Sequence, residues 1–230
     1  MTSSRNIILL HGALGSKKQF DPIMDPLNRE FNVHTLDFPG HGERPLFSHF
    51  NIKEFAFDVF EFMDQKGLSS AHFFGYSMGG YVALYGATQD SDRFESIITL
   101  GTKFNWSPGY ALEQKKLLNP DKIKEKVPRY AQYLSEIHGD SKWRLVLNHT
   151  ADMMAELGNS NLLTKDVLSQ IPHRITIGRG ENDKMVDVEE SVVAANALPN
   201  GKYQELKDAP HPLEKVDHRL LTGYIVDNLE

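Results

Sequence analysis

Six short apolar runs recur along the 230 residues, and helical periodicities fill most of the gaps between them. The runs are Ile7 to Leu10, Val33 to Phe38, Ala71 to Tyr76, Ser96 to Leu100, Arg174 to Ile177 and, more weakly, Lys202 to Leu206. Short apolar runs alternating with helices predict an α/β chain, with a mostly parallel sheet of about six strands flanked by helices. Between the second and third runs, Ile52 to Leu68 carries Ile52, Phe55, Ala56, Val59, Phe60 and Met63 at i, i+3, i+4, i+7 spacing. That stripe predicts an amphipathic helix packed on the sheet. Gly79 to Thr88, Val188 to Leu198 and Asp217 to Leu229 complete the helical set.

From Lys103 to Ile171 the rhythm breaks. There is no clear strand, and Pro108, Pro120 and Pro128 punctuate several helical segments. This reads as an insertion of about 103–171 within a single domain spanning 1–230. Most of its large residues (Phe104, Trp106, Tyr110, Trp143, Met153, Met154) are expected to build its own core, and a few to line a pocket lid.

Composition excludes several function classes. The net charge is −6, from 25 Lys and Arg against 31 Asp and Glu, with no basic run, so nucleic acid is not an expected partner. There are no cysteines, which rules out disulfides, thiolate metal sites and cysteine nucleophiles. The six residues Met1 to Asn6 lead into only four apolar ones, too short for a signal-peptide core or a membrane span. A cytoplasmic protein without a membrane partner is the expectation; oligomeric state stays open.

Gly75-Tyr76-Ser77-Met78-Gly79 follows the third apolar run and opens a helical segment. In that context a Gly-x-Ser-x-Gly motif describes a serine on a sharp strand-to-helix turn, its hydroxyl pushed out toward a carbonyl. A serine hydroxyl needs a base, usually a histidine oriented by a carboxylate. His211 lies between Pro210 and Pro212 after the last run and suits a positioned base. Asp183, after the Gly-rich turn of the fifth run, is the orienting candidate, with Glu181 and Asp187 as competitors. All would sit at the carboxyl edge of the sheet, where open α/β sheets bind ligands. The amides of Ala13, in the turn after the first run, and of Met78 are candidate oxyanion donors. His11 is expected to brace that turn, His41 to be structural and His218 to lie at the surface; Lys103, which follows the fourth run, is expected at the surface, with a positive charge near the pocket mouth as the alternative. The remaining histidines (His34, His49, His72, His138, His149, His173) show no metal-ligand spacing, so neither a metal nor a cofactor is expected.

Leu10-His11-Gly12, Asp37-Phe38-Pro39-Gly40-His41-Gly42, Gly75-Tyr76-Ser77-Met78-Gly79-Gly80, Asp183 and His211 together resemble the α/β-hydrolase superfamily, in the order that family uses. The resemblance implies Ser77 as nucleophile, His211 as base and Asp183 as orienter. It makes Ala13 and Met78 the oxyanion hole and the 103–171 insertion a helical cap. Leu14, Tyr76, Phe104, Trp106 and Met153 are the candidate pocket residues. Three departures stand out. The family's first two antiparallel strands are expected to be absent, Pro210 replaces the usual glycine before the histidine, and Tyr81 stands where members taking anionic substrates often carry arginine. The expected activity is hydrolysis of a small carboxylic ester or related acyl substrate through an acyl-enzyme. The alternatives are a C–C bond hydrolase or lyase with the same triad, and a non-catalytic binding protein on the same fold.

Overall fold

The first strand, β1 (Arg5–Leu10), lies inside the sheet, and the chain builds outward from it in both directions. The computed structural model describes residues 5–46 and 49–229; the expectation for the N-terminal segment falls partly on residues 1–4, outside them. From β1 the chain passes through α1 (Asp21–Leu27) to β2 (Phe31–Leu36), then through α2 (Ile52–Lys66) to β3 (Ala71–Tyr76). It continues through α3 (Met78–Gln89) to β4 (Phe94–Leu100). After the insertion come β5 (Arg174–Asn182), α9 (Val188–Ala197), β6 (Asn200–Pro210) and α10 (His218–Asp227). The six strands pair in the order β2-β1-β3-β4-β5-β6, every pair parallel. Helical crossovers require this, because parallel neighbours cannot be joined by a tight hairpin.

Alternation along β1 splits the core in two. Ile8 and Leu10 pack with α2 and α3 on one face, while Ile7 and Leu9 pack with α1 and α10 on the other. Strand order reverses between β1 and β3, so their carboxyl ends diverge around a crevice, the position where such sheets bind ligands.

The insertion lies between β4 and β5 and holds α4 (Pro108–Leu117), α5 (Pro120–Lys126), α6 (Pro128–His138), α7 (Trp143–Asn159) and α8 (Lys165–Leu168). Pro108, Pro120 and Pro128 each open a helix, where a missing N–H costs nothing. Leu134, Trp143, Val146, Leu147 and Met153 are buried and join the core on the α2 and α3 face, here called the upper core, so the insertion is continuous with the sheet's own packing.

Several boundaries differ from the sequence reading. β2 ends at Leu36, and Asp37 and Phe38 leave the sheet to form the following loop. β5 runs on to Asn182, and β6 to Pro210, so His211 is the first residue off a strand. β6 is an edge strand with mixed exposure, which blurs its apolar signal. α1 was hidden by Pro22 and Pro26, although a proline fits a helix's first turn. Among the described residues, no helix is long and apolar enough to cross a membrane.

Candidate active site

Ser77 occupies the single residue between β3 and α3, with φ 51° and ψ −112°. This left-handed geometry is costly for a residue with a Cβ and persists only where neighbours hold it. Those neighbours are close at hand. The Ser77 amide donates to Leu100 O at 2.8 Å, and its carbonyl accepts from Thr102 Oγ1 at 3.0 Å and Gly80 N at 3.1 Å. A Cβ on Gly75 would meet the Gly80 backbone, and one on Gly79 would meet the Leu10 carbonyl. The two motif glycines therefore let α3 start directly against β1 and β3.

The register of β5 and β6 pairs Asn182 with Pro210, so the next residue of each strand, Asp183 and His211, emerges alongside the other. Asp183 Oδ2 accepts from His211 Nδ1 at 2.7 Å. Asp183 Oδ1 accepts from Met185 N at 2.7 Å and Val186 N at 3.0 Å. Burial pushes the carboxyl up, but the His211 bond and charge and the two backbone donors outweigh it and hold it below the usual value. Arg179, buried on β5, clamps this loop by donating to Asp183 O and Val186 O, both at 2.7 Å. Gly101, at φ 67°, leaves room for the pair: a Cβ there would lie 3.2 Å from His211 Cε1 and 3.3 Å from Asp183 Oδ2. Tyr76 donates its hydroxyl to His211 O at 2.8 Å. The competing carboxylates are occupied elsewhere: Glu181 accepts from Asp208 N, and Asp187 caps α9.

At the β1 end, Gly15 N donates to Gly12 O at 3.1 Å and closes a turn over Ala13 and Leu14. His11 braces it by donating from Nδ1 to Gly12 O and accepting the Phe38 amide at Nε2. Burial lowers its pKa to about 4, which keeps Nε2 an acceptor. Among the described residues, no group accepts from the Ala13 or Met78 amide. Both residues line a cavity of about 40 Å³ together with Ser77, Trp106 and Met153.

Three candidate pocket residues sit elsewhere. Leu14 is buried in the upper core, and Tyr76 points to the opposite face, under His211. Phe104 lines a separate cavity of about 430 Å³ near α8 and α9, which contains none of Ser77, Asp183 and His211. His218 is exposed, as expected. Lys103 is not the surface lysine expected first but follows the alternative reading: its side chain is only 12% exposed and lines the Ser77 cavity. Its Nζ lies over the Tyr110 ring, 4.3 Å from the centroid, and donates to Glu190 Oε1 at 2.6 Å.

Glu190 is a residue the sequence reading did not weigh. Its carboxylate also accepts from Phe104 N at 3.0 Å, Asn105 N at 2.7 Å and Asp187 N at 2.9 Å. It thus ties the start of the insertion to the loop carrying Asp183. The only sequence trace is the capping-box spacing from Asp187, which announces a helix start and nothing about Lys103. Glu190→Ala strands three backbone donors and a mostly buried ammonium, and is expected to cost about 3 kcal/mol. Urea denaturation measures this; a loss below about 0.5 kcal/mol, the scale of an ordinary surface change, would contradict it.

The family described as alpha/beta hydrolase fold matches residues 5–136. A Caulobacter segnis protein named "Putative carbamate hydrolase RutD" is 27% identical over 99% of this chain and 92% of its own. A pimeloyl-[acyl-carrier protein] methyl ester esterase of Neisseria meningitidis is 33% identical over 40% of this chain and 35% of its own. The enol-lactonase of Burkholderia xenovorans LB400 superposes with a TM-score of 0.80 at 20% identity, over 99% of this chain and 92% of that one. This enzyme therefore belongs to the α/β-hydrolase fold family.

Proposed function

We propose that this hydrolase is a serine esterase of small, uncharged carboxylic esters, working through an acyl-enzyme on Ser77. The observation that carries the reading is the 2.7 Å bond from His211 Nδ1 to Asp183, formed at the same sheet edge as the left-handed Ser77. That bond fixes the imidazole tautomer, leaving Nε2 as the base. Ser77 Oγ attacks the ester carbonyl and its proton passes to His211 Nε2. The Ala13 and Met78 amides receive the oxyanion. The tetrahedral intermediate collapses, and His211 returns the proton to the leaving alcohol. Water, deprotonated by the same nitrogen, then releases the acid and frees Ser77.

The cavity walls support the choice of substrate. Ile52, Tyr81, Trp106, Met153 and Leu157 are largely apolar, and the nearby Lys103 charge is already matched by Glu190. An anionic acyl group would have to compete with that buried carboxylate. At about 40 Å³ the cavity is far smaller than the hundreds of Å³ typical of ligand sites. Substrate entry therefore needs this lining, to which the insertion contributes Trp106 and Met153, to give way.

A fluorophosphonate probe is expected to label the wild-type chain on Ser77 and to leave Ser77→Ala unlabelled. In a panel of p-nitrophenyl esters, acetate and butyrate should exceed both decanoate and hemisuccinate in kcat/KM. An unlabelled wild-type protein defeats the nucleophile assignment; a preference for hemisuccinate defeats the substrate class.

A further inference from the structure

A buried side chain of the insertion, His138 at the last turn of α6, hydrogen-bonds the turn that presents the Ala13 amide. His138 is 1% exposed, and both its ring nitrogens meet backbone. Nδ1 accepts from Gly42 N at 3.0 Å. In the neutral ring this places the proton on Nε2, which lies 3.0 Å from Leu14 O and donates to it. Burial lowers the pKa of His138, so the neutral form persists.

Leu14 is the residue that needs holding. Its φ is 61°, in the third position of the Gly12–Gly15 turn, where a positive φ ordinarily calls for glycine. A branched side chain stays in that region only where its surroundings over-determine it. The turn's own bonds, from Gly15 N to Gly12 O and from Gly12 N to Gln19 Oε1, fix its first and last residues. The Leu14 carbonyl is fixed from outside, by His138. The same corner of the insertion reinforces this docking: Lys142 Nζ donates to Gly42 O at 2.9 Å and to Arg44 O at 2.6 Å.

We propose that His138 is a positioning residue for the oxyanion hole, holding the left-handed Leu14 turn so that the Ala13 amide faces the Ser77 site. This rests on the esterase reading of Ser77. Its consequence is a coupling between insertion and chemistry: undocking α6 releases Leu14 O and loosens one of the two oxyanion donors. The hole is fully formed only when the insertion is seated.

The two ring nitrogens can be separated by amide replacements. His138→Gln places an amide N–H near the position of Nε2 and retains the donor to Leu14 O. His138→Asn reaches only the Nδ1 position, retaining an acceptor for Gly42 N and losing the donor. For a short p-nitrophenyl ester, His138→Asn is expected to lower kcat by about 10- to 100-fold with KM within about twofold. A trifluoromethyl ketone, whose adduct oxygen occupies the oxyanion hole, should lose affinity for this variant in parallel. His138→Gln should restore kcat to within about threefold of wild type. Assays are run where circular dichroism shows every variant folded. If His138→Asn does not fold, His138→Met, which lacks both polar atoms, takes its place against His138→Gln. Equal kcat for the donor-retaining and donor-lacking variants overturns the proposal, as does a loss confined to KM. Wild-type protein that neither turns over the ester nor takes a fluorophosphonate overturns the reading of Ser77 and the proposal with it.

Discussion

Asp183→Asn is expected to lower kcat for a short p-nitrophenyl ester by about 10⁴-fold with the fold intact. The size of the effect follows from how the carboxylate is held. Oδ1 accepts two backbone amides, from Met185 and Val186, and Oδ2 accepts the His211 Nδ1 proton. An asparagine must keep its carbonyl oxygen toward the two amides, because two donors facing an NH₂ group would repel it. Its NH₂ then faces His211, which must turn an unprotonated Nδ1 toward it. The proton moves to Nε2, and the imidazole can no longer accept from Ser77. The variant should still be recognised by substrate, so KM changes little. Glu181→Gln and Asp187→Asn serve as controls, since those carboxylates bond to Asp208 N and to the start of α9. A loss of less than about tenfold for Asp183→Asn would remove Asp183 from the proposed triad.

The sequence made the sheet legible because each central strand is buried on both faces. β3 is buried at every position, and its apolar run was read with its bounds unchanged. The edge strand β6 was read short, since solvent on one side breaks the run. Chain order and the carboxyl-edge rule brought Ser77, Asp183 and His211 to one end of the sheet without any knowledge of side-chain direction. Direction is what the sequence withheld. Tyr76 and Ser77 are adjacent, yet the first turns under His211 and the second lines the cavity. Phe104 and Trp106 are two residues apart, and only Trp106 faces the Ser77 cavity. The contacts of Lys103 with Glu190, and of His138 with Leu14, join residues 87 and 124 positions apart. No local spacing encodes such pairs. They follow from how the insertion settles on the sheet.

The second large effect is acid lability. Folding stability should fall steeply as pH drops from about 6.5 toward 4.5, and the cause is a buried histidine cluster. His11, His41 and His138 stand with ring centroids 5.0 Å (His11–His41) and 5.6 Å (His41–His138) apart. Burial lowers the pKa of all three, and repulsion from the neighbouring rings adds to it at His11 and His41. Asp37 favours the charged forms of His11 and His138, while Lys142 opposes them at His41 and His138; burial outweighs Asp37. Two of the rings also need an unprotonated nitrogen, His11 to accept Phe38 N and His138 to accept Gly42 N. The sign follows directly. Between the lowered folded values and the unfolded value near 6.5, the unfolded chain binds more protons, so stability is complete above that window and drains away within it. His11, moved from 6.5 to about 4, accounts for about 3 kcal/mol by itself. The depressed Asp183 carboxyl acts in the same direction at lower pH, losing its contribution as pH falls below the ordinary carboxylate range. A chain of ordinary stability holds about 5–15 kcal/mol in total, so His11 alone removes a substantial share of it in mild acid. Urea midpoints measured from pH 7.5 to 4.5 should give a slope of more than one proton per molecule, above about 1.4 kcal/mol per pH unit. His41→Phe tests whether the slope belongs to this cluster. His41 stacks on Phe50 at 4.9 Å, and its Nε2 is buried with no hydrogen-bond partner among the described residues, so a phenyl ring keeps the stacking and removes one titrating group at the cost of the 3.2 Å bond from Nδ1 to Pro39 O. The slope should fall by about one proton. A slope unchanged by that substitution, or a wild-type stability flat to pH 5, would place the acid sensitivity elsewhere.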